Sequence, residues 1–203
     1  MTVTLDQLAL FAGVLAVAIL SPGPGVIAVS QSAFALGRRR ALPYGWGLAV
    51  GASLWCVFAL LGLTVIFRTL PWTYVALKIG GGAYLLWIAF RMWKHAPDPL
   101  PDPAESRRGT GFLGGMMLNL SNPKPALFYS AVLLSVFPVL LGARDKLAIY
   151  ITAVSLELAF YTALASLMAL PWLRRRYYSA KFWIDRAAAL AIGLLGLSLI
   201  LRH

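Results

Sequence analysis

The chain has 203 residues, 60% of them hydrophobic and 12% charged, with a net charge of +11 and a mean hydropathy of +0.77. A soluble domain carries roughly twice that charged fraction, so the composition excludes an ordinary globular enzyme and points to one membrane domain over residues 1–203. The cations do not imply nucleic acid, because Lys and Arg fall in short clusters between apolar runs and form no basic face or recognition module.

Apolar runs between charged or proline-rich punctuation give six predicted spans, at 5–36, 41–67, 71–93, 110–141, 147–170 and 182–201. The first begins "MTVTLDQLAL", without the basic n-region of a signal peptide, and is read as a span. Spans one and four have 32 residues each, about 48 Å as a straight helix, which exceeds a hydrocarbon core of about 30 Å. Each contains a break, "SPGPG" at 21–25 and "NPKP" at 122–125. Two half-helices therefore fit better than one rod.

The loops after spans one, three and five hold Arg38, Arg39, Arg40, Arg91, Lys94, Arg107, Arg108, Arg174, Arg175, Arg176, Lys181 and Arg186. These twelve face four on the opposite side, Arg68, Arg144, Lys146 and Arg202. The bias places the first group in the cytoplasm and both termini outside. Trp72, Trp93, Trp172 and Trp183 near span ends suit an aromatic belt.

The two halves echo each other. "LPW" at 70–72 recurs at 170–172, Pro22 and Pro24 recur as Pro123 and Pro125, and Leu36-Gly37 recurs as Leu141-Gly142. The order and the offsets of 100 to 105 suggest repeats 1–94 and 110–203 joined by a polar linker at 95–109. Three spans per half is an odd number, so the second copy enters the membrane inverted. The expected fold is all-α: six transmembrane helices as two inverted three-helix repeats, with helices 1 and 4 broken. In transporters of that design the substrate lies where broken helices of the two halves meet.

Proline suits the first position of a helix, so Pro24 and Pro125 each mark a half-helix start whose amides and dipole favour an anion such as a substrate carboxylate. Gly23 and Gly25 allow close approach to the backbone. Glu157 is the only acidic residue well inside a predicted span. A charge at such depth costs on the order of 2.5–3.5 kcal/mol, so a role in proton exchange or in binding a substrate ammonium is expected of it, the alternative being a structural partner for a buried cation or hydroxyl. Lys124 either adds positive charge for a carboxylate, pairs with Glu157, or snorkels to the interface; Lys78 is read as snorkelling. Asn119, Asn122, Ser21, Ser30, Gln31, Tyr129 and Tyr161 are candidate neutral lining groups, or interhelical glue.

Other chemistries lack residues. The single cysteine, Cys56, has no partner within the chain, which excludes an internal disulfide or thiol relay. His95 and His203 have no cysteine or carboxylate at metal-ligand spacing, and no phosphate-binding loop is present. No catalytic residue, metal or cofactor is expected.

The segments "ILSPGPGVIAVSQSAFALGRRRAL", "KIGGGAYLLWIAFRMWK" and "FLGGMMLNLSNPKPALFY" resemble the LysE/RhtB family of amino-acid exporters over nearly the whole chain. The resemblance implies a multi-pass exporter of amino acids or related metabolites in the bacterial inner membrane, driven by proton-motive force. Pro22, Gly23 and Pro24 match the family's first motif, and Asn122, Pro123 and Lys124 the second. Phe112, Gly115 and Asn119 match the approach to it, and Glu157 matches a fifth-span acidic position that other members fill with Asp. Two positions depart: Gly51 is followed by Ala52 where many members carry Asp, and Phe137-Pro138-Val139 stands where Phe-Pro-Gln is often found. Threonine, lysine or homoserine specificity is therefore not transferred at this point.

The expected partners are an amino-acid-like substrate, protons and membrane lipids. Faces of small residues permit a homodimer without requiring one. The alternatives are a passive channel on the same scaffold and, from another class, a membrane redox or assembly protein, against which the lone Cys56 argues.

Overall fold

A computed structural model describes residues 3–21, 23–69, 73–98, 111–137 and 141–201. Within them the chain forms eight helices and no strand: α1 (Leu5–Leu20), α2 (Pro24–Leu36), α3 (Arg38–Thr69), α4 (Thr73–His95), α5 (Gly111–Leu120), α6 (Pro123–Val136), α7 (Ala143–Leu167) and α8 (Pro171–Leu201). The Leu70-Pro71-Trp72 motif, Pro22, Pro138, Val139 and most of the 95–109 linker lie outside the described residues.

Local signals set the helix ends. Thr4 and Gln7 form a reciprocal capping box at the start of α1. The Gln7 amide also donates to the Val136 carbonyl at 3.1 Å, and the Val3 amide donates to Asp145 at 3.3 Å, which pins this end to α6 and α7. Gly37, at φ +77°, is the sole link between α2 and α3, a left-handed conformation that only glycine adopts cheaply. Predicted spans one and four are both interrupted. The axes of α1 and α2 differ by 60°, and α5 ends two residues before α6 begins.

Three boundaries differ from the sequence expectation. Arg38–Arg40 form the first turn of α3 instead of a loop, α7 begins at Ala143 instead of 147, and α8 begins at Pro171 instead of 182. Charge and proline were treated as punctuation, yet Arg and Lys are good helix formers and proline is at home in a first helical turn. The basic cluster Arg174–Arg176 therefore belongs to a helix. The segments 38–62 and 143–167 are each long and apolar enough to cross a membrane, and α1 with α2 passes the same test as a bent pair. At about 1.5 Å per residue, α4 and α8 also have the length to cross, with 23 and 31 residues.

Packing runs chiefly between the two halves of the chain: α3 lies against α5, α6 and α7, and α4 against α8. Small residues let the backbones touch. A Cβ at Gly47 would collide with the Phe112 carbonyl, one at Gly115 with the Tyr44 carbonyl, and one at Gly51 would lie 2.7 Å from the Met116 carbonyl. On the other side of the bundle Gly82 meets Gly196 in the same way. These pairings make α3 parallel to α5. Gly45 with Tyr161 and Trp46 with Thr162 join α3 to α7; Ala41 shares one core with Leu164 and Ala165, and Cys56 shares the other with Ile149 and Ala153, so the two run antiparallel, and Gly82–Gly196 with Gly193–Ala89 make α4 antiparallel to α8. Only three residues separate the end of α7 from the start of α8, so Arg38–Arg40, the Arg91–Lys94 end of α4 and the Arg174–Arg176 end of α8 gather at one end of the bundle.

Two apolar cores result. One joins α1, the second half of α3, α4, α6, α7 and α8 around Phe11, Leu85, Val132 and Ile192; the other joins α2, the first half of α3 and α7 around Val29, Leu48 and Ala165. Outward faces carry Phe58, Phe90, Leu113, Ile151 and Leu194, an apolar exterior suited to hydrocarbon. Trp93 and Trp172 are exposed near helix ends, as an aromatic belt requires, whereas Trp183 is exposed in the middle of α8, because that helix starts at Pro171 and not at 182.

Gly115→Val should force α3 and α5 apart and cost about 1–3 kcal/mol or more. Gly13→Ala and Gly62→Ala meet nothing within 4 Å and should be tolerated. Thermal melting of the detergent-purified variants checks both, and a fully stable Gly115→Val would contradict the helix contact.

Candidate functional site

A cavity with about 70 Å³ of room for water-sized molecules opens at the seam between the two cores. Its walls come from α1, the first break, the first turn of α2, Ala52 of α3, the second break and α7. Both breaks therefore face one space. Of the residues singled out from sequence, Gly23, Pro24, Gly25, Asn119, Asn122, Lys124 and Glu157 line it, as do Ser21, Tyr129 and Tyr161.

The two breaks are not equivalent. At the first, Pro24 opens α2, and the preceding Gly23 offers no side chain to cap it. The first-turn amides of Gly25 and Val26, with the positive end of the helix dipole, are thus left toward the cavity. A Cβ at Gly25 would lie 2.9 Å from the Tyr161 hydroxyl, so only glycine leaves room between that hydroxyl and the helix start. At the second break the helix begins at Pro123, not at Pro125, because Asn122 caps it: Oδ1 accepts the Lys124 amide at 3.0 Å. Pro125 stands third in the helix and contributes a wall.

Lys124 projects from that first turn back across to the other break, and a Cβ added at Gly23 would lie 3.8 Å from its Nζ. Among the described residues its ammonium makes no hydrogen bond. It does not pair with Glu157. The Glu157 carboxyl is buried, with 3% exposure; Oε1 accepts the Tyr129 hydroxyl at 3.1 Å, and Oε2 has no hydrogen-bond partner among the described residues. A buried carboxyl oxygen without a partner is costly unless it is protonated or meets a ligand. The cavity thus carries a cationic pole at Lys124 and the α2 N-terminus, and an acidic pole at Glu157.

Asn119 lines the cavity but is also a strut. Its Nδ2 donates to the Leu48 carbonyl at 2.7 Å, and its own carbonyl accepts the Trp55 indole at 3.3 Å. Two proposed lining groups lie elsewhere: Ser30 donates to the Val26 carbonyl within its own helix, and Gln31 does not reach the cavity walls. Pro22 lies outside the described residues.

Glu157 is not the only acid inside the bundle. Asp185, near the start of predicted span six and not singled out from sequence, lies mid-way along α8 with 5% exposure, and its Oδ1 accepts the Ser21 hydroxyl at 2.7 Å, immediately behind the cavity wall. Cys56 is fully buried in the larger core. Among the described residues no three His, Cys, Asp or Glu side chains cluster as a metal site.

The chain is 33% identical over 191 residues to the threonine efflux protein of Escherichia coli K12, covering 91% of this chain and 93% of that protein. It is 34% identical to the threonine efflux protein of Salmonella typhi, with the same coverage. Against the homoserine/homoserine lactone efflux protein of Salmonella typhimurium it is 30% identical over 155 residues, 73% of each chain. No solved structure matches significantly. The LysE type translocator model matches residues 16–203, and the chain belongs to that family: it is an integral membrane transporter, not an enzyme.

Proposed function

We propose that the protein exports an amino acid of the threonine and homoserine class, or a close metabolite, across the bacterial inner membrane under proton-motive force. The observation that carries this reading is the two-pole cavity. The uncapped start of α2 and the Lys124 ammonium suit a carboxylate. The Glu157 carboxyl, with one oxygen unpartnered, suits an ammonium or a transferable proton. A zwitterionic α-amino acid presents both groups on one carbon. The names of the relatives, two threonine exporters and a homoserine exporter, support the same class.

In this reading Gly23, Gly25 and Lys124 bind the carboxylate, while Pro22, Pro24, Asn122 and Pro123 shape the two helix starts. Asn119 holds α5 to α3 so that the second break stays in register. Glu157 couples export to protons. The chain crosses the membrane six times, as inverted repeats 1–94 and 110–203 whose broken helices α1–α2 and α5–α6 meet at the midplane. Gathering the basic clusters at one end of the bundle supports a cytoplasmic location for that end.

The test is transport of labelled L-threonine and L-homoserine in proteoliposomes with an imposed pH gradient. Coupled export moves substrate against its own gradient, whereas a passive channel only equilibrates it. Glu157→Gln should lower gradient-driven transport by roughly tenfold or more, and full pH-driven transport in this variant would rule out the coupling role. Lys124→Met, which loses a charged hydrogen bond to substrate, should raise the half-saturation concentration by about ten- to a hundredfold; an unchanged value would remove Lys124 from the site. A C-terminal reporter that is active only in the cytoplasm should stay silent, and strong activity would overturn the orientation.

A further inference from the structure

Away from the cavity, the α4–α8 surface carries a cation with no role in substrate binding. The Arg186 guanidinium lies 3.8 Å from the centre of the Trp93 ring on α4 and 5.0 Å from that of Phe182, one turn earlier on its own helix. Phe182 packs edge-on against Trp183, with ring centres 5.1 Å apart. Aromatic side chains of both helices thus form a cup around one charge. Trp183 is 72% exposed and Trp93 40%, so the cup opens on the outside of the bundle, and none of its residues lines the cavity.

Cation–π contacts hold the plane of a guanidinium, yet they satisfy none of its five N–H donors. Among the described residues Arg186 makes no hydrogen bond or ion pair, and its Nε is buried without a partner. The described carboxylates are elsewhere. Asp98 pairs with His95 at 2.6 Å and Asp185 with Lys181 at 2.8 Å, Glu157 accepts from Tyr129, and Asp6 and Asp145 stand in the first turns of α1 and α7, at the opposite end of the bundle. A guanidinium so placed is costly in apolar surroundings unless an anion completes it.

The level of the cup along the bundle identifies that anion. Lys181 donates to the His95 and Ala96 carbonyls at 3.2 Å, so this part of α8 comes level with the end of α4, and Trp183 lies beside Trp93 although it is far from either end of its own helix. Arg91 and Lys94 are exposed within one turn of Trp93. Exposed tryptophans beside cations mark the headgroup layer, where acidic phospholipids supply the phosphate, and basic pockets between helices bind such headgroups. The guanidinium fork matches two phosphate oxygens.

We infer that Arg186, held by Trp93 and Phe182, binds the phosphate of an anionic phospholipid, which clamps α4 of the first half to α8 of the second at the basic end of the bundle. The inference needs α4 and α8 to cross the membrane and is independent of the substrate.

The experiment is thermal melting of the purified protein in detergent, titrated separately with phosphatidylglycerol, phosphatidylcholine and inorganic phosphate. A ligand that binds only the folded protein raises the melting midpoint with its concentration. Phosphatidylglycerol should do so for wild type, and an equal rise with phosphatidylcholine or inorganic phosphate would overturn the proposal. Arg186→Gln should need about ten- to a hundredfold more phosphatidylglycerol for the same rise, as the loss of a charge-assisted hydrogen bond implies. Arg175→Gln removes the same charge from an exposed position at the same end and should leave the titration unchanged; equal weakening there would mean diffuse attraction to a basic surface and no site. Should Arg186→Gln fail to fold, Arg186→Lys decides. It keeps the charge and loses the fork, so it should bind phosphatidylglycerol roughly three- to tenfold more weakly, and wild-type affinity in that variant would overturn the proposal.

Discussion

Breaking a helix inside an apolar bundle strands backbone amides that lipid cannot satisfy, and the rest of this structure is organised around that constraint. At the second break the solution is local: Asn122 folds over the first turn of α6 and accepts the Lys124 amide. At the first break Gly23 supplies no such cap. The α2 amides remain turned toward a cavity, where water or a ligand has to complete them. Two breaks built alike would give two equal anion sites; capping one and leaving the other open gives a single site with direction.

Such a cavity persists only if the helices around it are held by contacts elsewhere. The glycines of α3, α5, α4 and α8 bring backbones together at Gly47–Phe112, Gly115–Tyr44 and Gly82–Gly196, and dispersion over those close faces replaces the hydrophobic drive that is missing in lipid. Because the contacts join the first half of the chain to the second, neither half encloses the cavity alone. The cationic pole is drawn from both, with α2 from one half and Lys124 from the other, while the acidic pole belongs to α7. A rocking of one half against the other would therefore change the distance between the groups that hold the two ends of a substrate.

Much of this was legible before any coordinates. Two prolines and two glycines within five residues, or two prolines within three beside an asparagine, are unlike the isolated prolines and glycines that helices absorb, so both breaks are visible in the string, and Glu157 is conspicuous because no other charge stands near it in its run. Asp185 was missed for the opposite reason. It lies among Lys181, Trp183 and Arg186, and reads as the polar mouth of a span until α8 is seen to begin eleven residues earlier and to bury that stretch against α4. The choice between Pro123 and Pro125 as a helix start was equally hidden, since either proline fits and the cap made by Asn122 decides. The glycine runs signalled close packing, but which helix lies against which depends on contacts between the halves that no local pattern records.

The central claim is that one cavity grips an amino acid by both ends, the carboxylate at α2 and Lys124 and the amino group at Glu157. Competition against labelled L-threonine binding, by threonine methyl ester and by the hydroxy acid in which the amino group is replaced, tests it most directly. The account predicts that wild type rejects both analogues, that Lys124→Met no longer distinguishes the ester from threonine, and that Glu157→Gln no longer distinguishes the hydroxy acid. Equal loss of discrimination toward both analogues in each variant, or competition by either analogue as strong as that by threonine in wild type, would contradict it.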